Sequence, residues 1–175
     1  MSPDATADTV SVEIINHPAR NLVIRRGRQA SHYSEYCEEG GGGVWEVLER
    51  LSGALHEPIG MWLPSRLRKP DTSTYVLGIE VGADFHGQLP EGYEILDLPP
   101  CTMMVFHGPP FGKGESKRAI AWLREYIATY RPEQRGYAWA DEEAPRFQLR
   151  RLGQRSYVEG RPVRLLSSLW AEMLS

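Results

Sequence analysis

Val12-Glu13-Ile14-Ile15-Asn16-His17-Pro18-Ala19-Arg20-Asn21-Leu22-Val23-Ile24-Arg25-Arg26-Gly27 aligns without gaps on Tyr93-Glu94-Ile95-Leu96-Asp97-Leu98-Pro99-Pro100-Cys101-Thr102-Met103-Met104-Val105-Phe106-His107-Gly108, an offset of 81 residues (93 − 12). Glu13/Glu94, Ile14/Ile95, Pro18/Pro99 and Gly27/Gly108 are identical, and most apolar positions match. Each copy reads as two extended pieces broken at a proline, which has no N–H to give to a strand ladder. After each glycine comes a helical pattern. In the first half Val44, Leu48, Leu51 and Leu55 recur at three- and four-residue spacing within 34–55; in the second, Ile120, Leu123, Ile127 and Tyr130 form one stripe from Ser116, stopped at Pro132. Extended segments follow both helices: 59–64 and 74–81, then 136–140, 146–152 and 157–165, rich in β-branched and aromatic residues and bounded by Gly, Pro and Asp. The order is βαββ–βαββ, an internal repeat that predicts an α+β fold with a mainly antiparallel sheet. Both helices are expected on one face, with a ligand pocket on the other.

The remaining composition is that of a globular chain. It has 175 residues, 41% hydrophobic and 25% charged, enough to bury a core as one domain. Residues 1–9 read as a disordered lead-in, 10–84 and 93–166 as the repeats, and 166–174 as a C-terminal helix. The net charge of −3, with acids and bases interspersed, argues against nucleic acid or an anionic membrane as partner. No apolar run approaches a membrane span, and the polar N-terminus does not resemble a secretory signal. Cys37 and Cys101 form no CxxC pair, so two reduced thiols and a cytoplasmic location are expected. The five histidines lack metal-ligand spacing, and neither a metal nor a cofactor is expected. A monomer or weak homodimer is expected.

The paired units with proline-broken first strands, over roughly Val10 to Leu166, resemble the GyrI-like small-molecule-binding domain family. That family holds effector-binding domains of bacterial multidrug and AraC-type regulators and a stand-alone gyrase inhibitor, and the resemblance is to the stand-alone form. Its ligand-binding members carry a pocket glutamate in a proline–x–aromatic–Glu pattern. The matching stretch here is Pro145-Arg146-Phe147-Gln148, with Gln148 in place of the acid. The last strand, Tyr157-Val158-Glu159-Gly160-Arg161-Pro162-Val163, is similar to a subgroup described as cyclopropanoid cyclopropyl hydrolases, which open strained rings of DNA-alkylating natural products. The resemblance implies a pocket glutamate at Glu159, with Tyr157 beside it and aromatic side chains around a flat ligand.

Alternation puts Tyr157, Glu159 and Arg161 on one face of that strand and Val158 on the other. With Val158 assigned to the helix-covered side, Tyr157 and Glu159 are expected on the open face. The offset of 81 sets Gly78 at the position of Glu159, leaving room for a ligand opposite the acid. Trp62 and Trp139 are read as equivalents after the two helices, where rings on a concave sheet stack on a planar ligand or pack in the core. Phe106 and His107 are weighed as pocket residues against a turn at Gly108-Pro109-Pro110. Gly40 to Gly43, lacking the Gly-Lys-Ser/Thr ending of a phosphate loop, reads as a mobile loop at the pocket mouth. A desolvated carboxylate is a better base near neutral pH. The expected function is therefore a cofactor-independent hydrolase adding water to a planar, hydrophobic electrophile, for detoxification or antibiotic resistance. The alternatives are a non-catalytic drug-binding or sensor protein and a gyrase-inhibitor-like interaction protein.

Overall fold

The computed structural model describes residues 9–150 and 156–174. The proposed lead-in, apart from Thr9, lies outside the described residues, as do 151–152 of one expected strand. The described strands are β1 (Ser11–His17), β2 (Arg20–Arg25), β3 (Ile59–Trp62), β4 (Tyr75–Gly82), β5 (Glu94–Leu98), β6 (Cys101–His107), β7 (Tyr137–Trp139), β8 (Arg146–Arg150) and β9 (Tyr157–Leu165). The helices are α1 (Tyr33–Glu38), α2 (Val44–Glu49), α3 (Ser116–Thr129) and α4 (Leu166–Leu174). All nine strands join one antiparallel sheet in the order β1-β6-β9-β8-β3-β4-β2-β5, with β7 on β9 beyond the end of β8. The α+β class and the mainly antiparallel sheet agree with the sequence.

The two repeats exchange their first strands. β1 pairs with β6 of the second repeat, His17 opposite Cys101, while β5 pairs with β2 of the first, Leu98 opposite Arg20. Pro18 and Pro99 stand where each chain leaves one half for the other, because a residue without an N–H interrupts the ladder there. Ile24 pairs with Gly78 and Val105 with Gly160, so the repeat offset is 81 at the inner strand (105 − 24) and 82 at the last (160 − 78). One extra residue in the second half reverses which face each side chain takes. Tyr157 is thus the counterpart of Tyr75, Glu159 of Leu77, and Gly160, not Glu159, of Gly78.

The register corrects the expected placement of the open face. Tyr157 packs with Leu123 and Ile127 on the side covered by α3, and Val158 lies on the opposite side with Cys101, Met103 and Val105. That opposite side is not open. Sheet twist curls the two halves toward each other, bringing Arg20 Nη2 of β2 to 3.5 Å from Cys101 Sγ of β6, five strands away in the sheet order. Leu22, Ile24, Met61, Val76, Met103, Val105 and Val158 are all buried. Within this closed interior Arg20 Nε donates to Glu80 Oε2 at 2.6 Å, and Arg20 Nη1 donates to the carbonyls of Pro18 and Pro99. A buried ion pair therefore sits where the strands cross over.

The single helix expected over 34–55 is two short helices. Gly40 takes φ +98, a left-handed value favouring glycine, and Gly41–Gly43 forms a 3-10 turn leading into α2. Gly41 lies under the Tyr36 ring, where a Cβ would overlap the ring carbons, so close packing requires glycine there. In α3, Leu123 and Ile127 are buried, and the extended Tyr130 ends the helix two residues before Pro132.

Candidate functional site

The polar constellation lies on the helix side, over the seam between the repeats. β3 meets β8 there, Gly60 opposite Gln148 and Trp62 opposite Arg146. Register then sets Tyr75 beside Trp62, and Glu159 beside Gln148. Gly60 carries no side chain, and a Cβ there would overlap the Tyr75 hydroxyl and stand 3.1 Å from Gln148 Cγ. The asymmetry that makes room in the site is therefore Gly60 facing Gln148.

The equivalent tyrosines converge on that glutamine. Gln148 Nε2 donates to Tyr75 Oη at 2.5 Å, and Tyr157 Oη lies 2.9 Å from Gln148 Oε1. Tyr157 Oη is also 2.6 Å from Glu159 Oε1; its one proton goes to the carboxylate, the nearer and stronger acceptor. Burial pushes both phenols above the ordinary tyrosine range, Tyr157 further because the Glu159 carboxylate faces it. Both therefore remain neutral hydroxyls at neutral pH, Tyr157 donating to Glu159 and Tyr75 accepting from Gln148.

Glu159 is 3% exposed and is engaged by α3. Arg124 Nε donates to its Oε1 at 2.9 Å, and Arg124 Nη2 donates to Gln148 Oε1 at 3.2 Å and to Tyr157 Oη at 3.4 Å. Arg146 Nη2 stands 3.8 Å from Glu159 Oε2, an ion pair beyond hydrogen-bond reach. Trp62 completes the group, its ring edge-on to Tyr75 at 5.3 Å and its Nε1 donating to the Ser31 carbonyl. The guanidinium carbons of Arg124 and Arg146 lie 5.3 and 5.6 Å from the Trp62 ring centre, within cation–π distance. The floor is thus Trp62, Tyr75, Gln148, Tyr157 and Glu159. Arg124 of α3 reaches over it, and Tyr33 and Cys37 of α1 are close enough to act electrostatically on Tyr75.

Of the residues singled out in the sequence, the structure brings together Tyr157, Glu159, Gln148 and Trp62. Gly78, His107 and Trp139 it sets apart. Gly78 is on the opposite face, where a Cβ would meet Ile24 and Leu22 at 3.0 Å, because the offset is 82 in that strand. His107 is also on that face, Nε2 3.2 Å from Glu13 Oε2. Phe106 stands directly opposite Glu159 across β6 and β9, but fully buried beneath α3 and edge-on to Tyr130 at 5.0 Å. Trp139 is not the equivalent of Trp62. It pairs with the far end of β9, under Arg161 at 4.1 Å, and lines a surface cleft of about 670 Å³ with Tyr130 and Pro132, away from Glu159. Sequence reasoning missed Tyr75, Arg124 and Arg146. Tyr75 was legible as the repeat mate of Tyr157 had the last strand been aligned separately; Arg124, on a helix, carried no signal. No three His, Cys, Asp or Glu among the described residues cluster as metal ligands, and no described helix is long and apolar enough to cross a membrane.

No family model matches the sequence, and no curated relative matches it significantly. Solved structures do. A putative bacterial transcription regulation protein from Staphylococcus aureus MU50 matches with a TM-score of 0.56 at 16% identity, over 88% of this chain and 98% of that one. SAV2435, solved bound to tetraphenylphosphonium, matches with a TM-score of 0.53 at 14% identity, over 90% of this chain and 96% of its own. At these identities the likeness is one of fold, and this chain shares that fold over nearly its whole length.

Proposed function

We propose that the chain binds a planar, largely apolar small molecule in the groove between α1 and α3, over Trp62 and against Glu159. The observation that carries this is the convergence of an aromatic face with five hydrogen-bonding side chains at the seam of two repeats. Ligand sites characteristically combine apolar surface with a few convergent polar groups. Binding of tetraphenylphosphonium by SAV2435, which has the same fold, supports a small-molecule role. Direct titration of flat aromatic compounds into the protein, with Trp62→Ala as control, tests it. Saturable heat of binding that disappears in the variant is the expected result, and binding unaffected by the variant refutes the location.

A second reading, hydrolysis, rests on the 2.6 Å Tyr157–Glu159 contact in the same groove. Once Arg124 swings off it, the Glu159 carboxylate takes a proton from water as the water oxygen bonds to a strained cyclopropane carbon. The ring C–C bond breaks, its electron pair moves to a conjugated carbonyl oxygen, to which Tyr157 turns its hydroxyl once Glu159 is protonated, and that oxygen receives the proton. The net change is addition of one water. Mass spectrometry of a cyclopropane-containing alkylator incubated with the protein tests it: a water-added product is expected, abolished in Glu159→Gln. Unchanged turnover in that variant removes Glu159 from the chemistry, and recovery of intact ligand leaves binding as the function.

A further inference from the structure

The groove already contains a flat cation of its own. Arg124 lies over the Trp62 ring, holds Glu159 Oε1 through Nε, and reaches Gln148 and Tyr157 through Nη2. An aromatic face beside a buried carboxylate is the chemistry that receives an organic cation, and here the guanidinium of α3 occupies that seat. A second guanidinium, Arg146, stands over the same ring and 3.8 Å from the other carboxylate oxygen. Asp141 is near enough for its charge to act on Arg146, but both its oxygens accept from a third guanidinium, Arg161, at 2.7 and 2.8 Å, so the three guanidiniums still outnumber the two carboxylates. One carboxylate therefore faces two guanidiniums, both some two-fifths exposed while Glu159 is buried.

We propose that Arg124 and Arg146 set the ligand class: the groove takes a planar aromatic with an anionic oxygen (a carboxylate, phenolate or enolate) and turns away organic cations, because Arg124 acts as the resident cation on Trp62 and Glu159. The inference rests on the groove being the binding site. An incoming cation meets two like charges at short range and must also displace Arg124 from Glu159. An anion meets two partly exposed guanidiniums, and Arg124 need not leave. Arg124 is in this sense a specificity-determining residue.

Three probes with one ring system test it by isothermal titration calorimetry: naphthalene-2-carboxylate, the neutral naphthalene-2-carboxamide, and the cationic naphthalene-2-carboxamidine. The wild-type protein is expected to bind the carboxylate at least about tenfold tighter than the amidine, the order that a net positive site imposes. Arg124→Ala vacates the seat with Glu159 retained, and is expected to invert the order. Arg124→Lys keeps the charge and is expected to keep the wild-type order. Arg124→Gln, which keeps most of the side-chain volume, repeats the alanine result if packing is the concern. An amidine bound as tightly as the carboxylate by the wild-type protein, or a ratio unmoved by Arg124→Ala and Arg124→Gln, overturns the proposal while amide binding keeps the groove. Failure of all three probes to bind either protein refutes the groove itself, and the charge assignment with it.

Discussion

Glu80 offers the sharpest test of how the exchanged strands are held. Arg20 is 4% exposed and the Glu80 side chain 10%, and they meet at 2.6 Å in the closed interior. Burial works against the Glu80 charge but is outweighed by the facing His56 imidazole and Arg20 guanidinium, which hold the carboxyl at about 2 against an ordinary 4.5. That gap corresponds to roughly 3 kcal/mol of stability. The folded value lies below the unfolded one, so the contribution is fully present above pH 4.5 and is lost as pH falls from 4.5 toward about 2. Glu80→Gln removes the charge and leaves Arg20 buried beside a neutral amide. Urea denaturation at neutral pH is expected to show a loss of about 3 kcal/mol, within the range for breaking one side of a buried pair. The two proteins should converge as the pH is lowered through that window, because wild-type Glu80 is then protonated as well. Replacing both partners, Arg20→Met with Glu80→Leu, should recover most of the loss, since neither charge is then left buried alone. A loss under about 1 kcal/mol, or parallel stability curves down to the acid end, refutes the view that this pair fastens the crossover.

Two further perturbations probe the packing. Gly60→Ala sets a methyl against the Tyr75 hydroxyl and Gln148 at the seam; it should destabilise by about 1–3 kcal/mol in denaturant titration and weaken ligand binding, because the floor must shift. A fully tolerated alanine means Gly60 is not what admits Gln148. Phe106→Ala empties the centre of the aromatic cluster beneath α3 and should cost about 3–5 kcal/mol with a matching fall in melting temperature, whereas ligand affinity persists in the folded fraction. Lost affinity in protein that remains folded would return Phe106 to the site.

The repeat, the α+β class and the strand alternation were legible in the sequence because each is local. An internal alignment exposes duplicated units, and period-two and period-3.6 patterns expose strands and helices. Tyr157, Glu159 and Gln148 were found because each sits in a short contiguous motif that resembles the family's. The face they occupy was not legible. It turns on whether the last strand is offset by 81 or 82, and one residue reverses every side chain there. Nor does a linear pattern show that β1 and β5 cross to the opposite repeat, that twist closes the face away from the helices, or that a guanidinium from α3 lies on Glu159. Those follow from which strands pair and how far the sheet curls, properties of contacts far apart in the chain. The sequence by itself determined two matching units with one carboxylate of interest; tertiary structure alone decided that this carboxylate lies under α3, already paired with Arg124.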